Sequence, residues 1–207
     1  MGGTTAARDD IDISFSDLID NLDLGIMGSL AASKDRWTLF ADFVYLDVED
    51  DTRTTANLIG NPLQLDIDVE VRGFISTLGG AYRVLETDTT SLNLLAGARY
   101  LWLEADLDIA TGPGISQNYK DSGHVWDAIA GIRGKTERSN KWYLTYYLDA
   151  GAGDSEFTWQ ARGGLNDRFE KVDAGFGYRH IDWEFDDNDT FDDLNMSGPY
   201  AGVKFRF

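Results

Sequence analysis

The sequence predicts an all-β fold, an antiparallel up-and-down transmembrane β-barrel, on three observations. Apolar residues recur at every second position in one run after another, the period of half-buried strands. The connections between runs alternate in length, short then long, as they do in barrels with short turns on one side of a membrane and longer loops on the other. The last twelve residues, 196–207, put Phe207, Phe205, Val203 and Ala201 on one face and Arg206, Lys204, Gly202 and Tyr200 on the other. A soluble domain rarely ends on an aromatic residue of a regular strand. A closing barrel strand does so readily, with the ring at the lipid–water interface.

Composition is compatible with this reading and excludes several others. At 207 residues the chain can close one barrel or fill one core. It has no Cys, which removes disulfides and thiolate metal sites. The formal net charge of −18 argues against a nucleic-acid partner, because phosphate binding needs clustered Lys and Arg. Glycine at 22 residues and aromatics at 13%, with only three Pro, suit many strands joined by tight turns. No run reaches the roughly 18 apolar residues of a membrane helix, and the mean hydropathy of −0.32 resembles that of a soluble protein. A membrane barrel escapes both tests, since only alternate residues face lipid. Gly2-Gly3-Thr4-Thr5 after Met1 provides neither the basic nor the apolar part of a signal peptide.

Taken in order, residues 1–21 form an N-terminal segment, read as the remnant of an external loop, in which Ile11, Ile13 and Phe15 alternate with Asp10, Asp12 and Ser14. The barrel follows over 22–207. Its first hairpin runs through Leu22, Leu24, Ile26 and Leu30, turns at Ser33-Lys34-Asp35-Arg36, and returns through Trp37, Leu39, Ala41, Phe43 and Tyr45. A second spans about 65–84, turns at Glu86-Thr87-Asp88-Thr89, and returns through Leu92, Leu94, Ala96, Ala98, Tyr100 and Trp102. The third uses Trp126, Ala128, Ala130 and Ile132, a turn near Arg138-Ser139-Asn140-Lys141, then Trp142, Leu144, Tyr146 and Leu148. The fourth places Phe157, Trp159, Ala161 and Leu165 before Asn166-Asp167-Arg168-Phe169, and Val172, Ala174, Phe176 and Tyr178 after it. With the closing strand this makes nine readable strands. Longer connections are expected near 47–64, 104–122 and 184–194. If Phe207 is periplasmic, the short turns near 34, 88, 139 and 168 are periplasmic too, and only the connection near 153–155 is short on the other side. Bacterial single-chain barrels have an even number of strands, so a ten-stranded parent is inferred whose first strand precedes residue 22. Residues 9–15 are too short to span a membrane as that strand.

The second face decides what the barrel encloses. It carries Asp42, Arg72, Arg99, Asp127, Arg133, Asp149, Gln160, Arg162 and Arg179, together with Asn93, Tyr147, Asp173, Lys204 and Arg206. The rough balance of Arg and Asp fits an interior network in which each buried ion finds a partner. Trp37, Trp126 and Trp142 near strand ends fit an interfacial girdle.

Several short stretches also resemble one family: Leu95-Ala96-Gly97-Ala98-Arg99-Tyr100, Trp126-Asp127, Gly131-Ile132-Arg133-Gly134, Asp149-Ala150-Gly151, Phe157-Thr158-Trp159-Gln160, Gly177-Tyr178-Arg179 and Ser197-Gly198-Pro199. In their order over roughly residues 10–207 they resemble a largely uncharacterised family of Gram-negative outer-membrane β-barrel proteins. The resemblance implies the bacterial outer membrane as location and a further N-terminal strand behind a signal peptide. It implies no activity.

The functional expectations follow from the same faces. The leading one is an integral outer-membrane protein with a charged, largely plugged interior and acidic external loops, in a structural or interaction role. A narrow small-solute pore is the first alternative, since barrels of this size leave little lumen once side chains fill it. A lipid-directed enzyme is the second: His180 has Asp182 two residues on, and His124 has Ser122 two residues before, each pair on one strand face. A soluble ligand-binding barrel is the third. No catalytic residue is assigned and no cofactor is expected, apart from Ca²⁺ or Mg²⁺ at the external acidic loops, with Asp186, Asp187 and Asp189 as candidates that lack EF-hand spacing. Expected partners are outer-membrane lipid, lipopolysaccharide and the barrel-assembly machinery, the last through Phe205 and Phe207 of the closing strand.

Overall fold

A computed structural model describes the backbone of residues 22–58, 61–111, 116–185 and 194–205. All nine expected strands are present: β1 (Leu22–Lys34), β2 (Trp37–Leu58), β3 (Asn61–Glu86), β4 (Thr90–Thr111), β5 (Ser116–Glu137), β6 (Trp142–Gly153), β7 (Phe157–Arg168), β8 (Val172–Glu184) and β9 (Leu194–Phe205). They form one antiparallel meander in chain order, curled into a half-barrel. Ring closure is not observed. Among the described residues β1 pairs with β2 alone and β9 with β8 alone, so β9 does not take β1 as a partner. Residues 9–15, the other partner considered for β9, lie outside the described residues, as does Phe207.

The expected long loops near 47–64 and 104–122 are corrected by the structure. The ladder between β2 and β3 continues without a shift from Trp37↔Tyr82 to Leu58↔Asn61, and that between β4 and β5 from Thr90↔Thr136 to Ala110↔Ser116. These stretches are ribbons that prolong the sheet. Glu49, Asp50 and Asp51 suggested a loop by composition, yet they pair with the alternating strand at 65–84, Asp50 with Val69 and Asp51 with Asp68. The stretch near 184–194 is described only at its ends.

The short turns after β1, β3, β5 and β7 lie at the opposite end. Asp35 begins the two-residue link between Lys34 and Trp37 with φ of 54°, a left-handed conformation that Asp tolerates better than most residues. Thr87 Oγ1 accepts the Thr90 amide in the next turn, and Ser139 Oγ accepts the Trp142 amide in the third. Nearby, Glu137 accepts from Lys135 at 2.6 Å and from Arg168 at 2.7 Å. These bonds, the one from Lys135 foremost, hold its carboxyl below the ordinary range. A depressed carboxylate contributes stability above its unfolded value, about 4.3, and loses it as pH falls through the folded value. Acid titration of the folded fraction should therefore show E137Q with a flatter stability profile below about pH 5. The difference should stay within about 1 kcal/mol, because solvent reaches this ion pair.

Burial separates the two faces of the curled sheet. On β8, Asp173, Gly177, Arg179, Ile181 and Trp183 are buried while Ala174, Phe176 and Tyr178 are exposed. The same alternation, carried through the registers, defines an inner and an outer face. Inside are two apolar clusters. Val44, Ile75, Leu101, Val125, Ile181 and Trp183 form the one nearer the ribbons, and Phe40, Ala81, Leu95, Ile129 and Tyr147 the one nearer the turns. Gly97 on this inner face permits the tight curl between them. A Cβ there would lie 2.2 Å from the Leu78 carbonyl oxygen, so only glycine lets β3 and β4 approach as they do.

Candidate functional site: the buried polar layer

Between the two apolar clusters lies a layer of charge. Along β2, Asp42 stands between Phe40 and Val44 on one face; along β4, Arg99 stands between Leu95 and Leu101. Alternation by two places each charged residue inside, and the next inner residues along the strand are apolar. These side chains are buried, so each charge needs a partner.

The partners come from strands that are not neighbours. Arg99 of β4 reaches Asp149 of β6 at 2.6 Å, both side chains fully buried, and Thr158 of β7 at 2.9 Å. Tyr147 donates its hydroxyl to the same Asp149 at 2.5 Å. On the other side Asp42 of β2 receives Arg162 of β7 at 2.9 Å and Arg179 of β8 at 2.8 Å. Gln160 links the two halves, accepting from Arg179 at 2.8 Å and facing Arg99 at 3.5 Å. Arg133 has its guanidinium 5.0 Å from the centre of the Phe40 ring, and Arg162 stands 5.3 Å from that of Tyr147.

Asp127 ties this layer to the short connection after β6. It accepts the Ser155 amide at 3.0 Å and the Ser155 hydroxyl at 2.8 Å, and it accepts the Trp183 indole N–H at 3.2 Å. Asp154 beside it accepts the Trp126 amide at 2.9 Å. Two of the three residues of this connection, Asp154 and Ser155, thus fix it to β5.

Of the residues that the sequence nominated for the interior, Asp42, Arg99, Asp149, Gln160, Arg162 and Arg179 meet in one network, Asp127 and Arg133 border it, and Arg72 stands elsewhere. Arg72 shares the outer face with Phe74, next to the ribbons, where it is ringed by Glu70, Asp47 at 3.7 Å and Glu104 at 3.3 Å. Lys120 joins the same outer group through Glu104 at 2.7 Å and Asp106 at 2.9 Å. Hydrogen bonds to Glu104 and then Asp106 hold the Lys120 ammonium above its ordinary pKa. Arg72 was placed inside by its charge, but its position counted along β3 puts it outside.

Thr158, Ser155 and Trp183 were not nominated. Thr158 could have been found, since it precedes Gln160 and Arg162 at the same spacing of two. Ser155 belongs to a connection, where spacing gives no direction. The inner apolar clusters also escaped notice, because an alternating strand offers no sign of which apolar residues face inward.

Phe205 lies on the outer face and is 63% exposed. Asp186, Asp187 and Asp189 lie outside the described residues. Among the described residues no group of three or more His, Asp or Glu is arranged to hold a metal ion.

The arrangement can hold the curl by charge-assisted bonds across the interior and can block passage through it. Compared with models of protein families, with curated proteins and with solved structures, the chain matches none.

Proposed function

We propose that this chain is an integral outer-membrane β-barrel protein whose packed polar interior maintains its shape, with a structural or interaction role at the membrane surface. One observation carries the reading: the outer face changes character abruptly along four adjacent strands. Tyr45 gives way to Asp47 on β2, Phe74 to Arg72 and Glu70 on β3, Trp102 to Glu104 and Asp106 on β4, and Trp126 and His124 to Ser122 and Lys120 on β5. Rings gather at that boundary, with centroids of Tyr100 and Trp126 4.7 Å apart and of Phe74 and Tyr100 6.5 Å apart. A second aromatic level lies toward the turns, where Trp37 and Tyr82 meet at 4.9 Å. Between the levels the outer face offers Leu39, Leu78, Leu94 and Leu148, each from 47% to 70% exposed.

Phe74 and Tyr82 mark the two levels on β3, eight positions apart by number. That is about 27 Å along a strand at roughly 3.4 Å per residue. With a tilt of about 35–45° it becomes roughly 20 Å of depth, close to the apolar band of about 25 Å in outer-membrane barrels. An exposed band of this kind on a water-soluble protein would be an aggregation site.

Folding the full chain into phospholipid vesicles tests the reading. It should float with the vesicles and show a gel mobility that shifts on boiling; a protein that stays in the aqueous fraction without detergent would refute it. The same preparation should be silent in planar bilayers, because Arg99, Asp149, Gln160, Arg179 and Asp42 span the interior. Regular conductance steps would favour the narrow pore instead.

A further inference from the structure

Among the outer-facing residues of β8 and β9 a polar group stands beside exposed aromatic side chains. His180 on β8 pairs in register with Ser197 on β9, and its Nδ1 is hydrogen-bonded to the Ser197 hydroxyl. Its other ring nitrogen, Nε2, faces Asp182 Oδ2 at 3.8 Å. The Trp159 ring packs against the imidazole with centroids 4.5 Å apart. Below them on the same strand and face, Phe176 and Tyr178 are 65% and 53% exposed. A hydroxyl, an imidazole and a carboxylate in line are costly on a surface otherwise made for hydrocarbon.

We propose that Ser197, His180 and Asp182 form a hydrolytic site for the carboxylic esters of acyl lipids, a proposal that rests on the membrane-barrel reading above. Ser197 is the nucleophile, His180 the base and Asp182 the positioning residue, with the two ring nitrogens assigned by their partners. Trp159 lies two positions inside the start of β7 and covers one side of the imidazole. Tryptophan settles at the level of headgroups and ester carbonyls, so the site meets the ester rather than the chain ends.

The reaction balances with water as the only co-reactant. Ser197 Oγ forms a bond to the acyl carbon while its proton passes to His180 Nδ1. The ester C–O bond then breaks, and the departing alcohol oxygen takes that proton. A water molecule, deprotonated by the same nitrogen, attacks the acyl carbon, releases the fatty acid and restores the Ser197 hydroxyl.

The test uses the full chain folded into vesicles, with flotation and the boiling-dependent gel shift recorded on each sample. Two vesicle types separate the sources of ester: phosphatidylethanolamine alone, and lipopolysaccharide with a non-hydrolysable ether lipid. Free fatty acid should appear from at least one of them, and a long-chain fluorophosphonate should leave an adduct mapped to Ser197. S197A and H180Q should lower fatty-acid release by about 100-fold or more while floating and shifting as wild type does. D182N should lower kcat with KM unchanged, which a merely structural contact would not do. Inserted wild-type protein that releases no fatty acid from either vesicle overturns the site and leaves the barrel reading intact, and so does activity that persists in S197A. Protein that does not float overturns the barrel reading and this proposal with it.

Discussion

Replacing Arg99 by Met is expected to destabilise the folded protein by about 3–5 kcal/mol, the range for removing one partner of a buried ion pair. Its guanidinium is fully buried and binds Asp149 and Thr158 at once. Among the described residues the substitution leaves the buried Asp149 with the Tyr147 hydroxyl at 2.5 Å to offset its charge. The loss is thus mainly the cost of an orphaned carboxylate. Urea titration of the folded fraction in vesicles measures it. The double variant R99M/D149N should recover part of the loss, with a coupling energy of about 0.5–3 kcal/mol. If the two single losses simply add, the pair does not hold the curl.

The second large effect belongs to the outer face. Leu78 is 53% exposed and lies midway between Phe74 and Tyr82 on that face of β3. In a membrane barrel this is the midplane, where L78R should cost about 2–4 kcal/mol. A solvent-exposed position on a water-soluble sheet would change by no more than about 0.5 kcal/mol. Ser122 is exposed on the same face beyond the aromatic boundary, paired in register with Glu104. S122R should therefore cost less than about 1 kcal/mol. Equal small costs at both positions would contradict a lipid-facing band.

Period two carries the fold from sequence to structure. Each strand from Trp37 to Tyr178 was legible because its apolar residues repeat at that spacing, and the turns were legible because charged or hydroxyl residues interrupt it. The ends of the strands were less so. Around residue 50, acidic composition suggested a loop where the backbone ladder continues to Leu58↔Asn61. Pairing across the interior was not legible at all. Asp42 and Arg162 are both inward on their own strands, but only the radius of the curl brings them to 2.9 Å. The Ser197–His180–Asp182 group illustrates the same limit. The spacing of His180 and Asp182 was visible, while Ser197 joins them only through the β8–β9 register.

The link from Asp42 to Arg162 joins residues 120 positions apart, and this separation bears on the order in which the molecule can form. The β1–β2, β3–β4 and β6–β7 hairpins can each close locally within microseconds. Asp42 nevertheless remains without its guanidinium partners until β7 and β8 have been made and brought round. Closure of so long a loop is slow relative to hairpin formation. An early hairpin therefore has reason to keep its Asp42 face in water, and the apolar cluster containing Phe40 cannot dry until the last third of the chain arrives. The polar layer acts as a clock: the half-barrel sets only when the most distant partners meet.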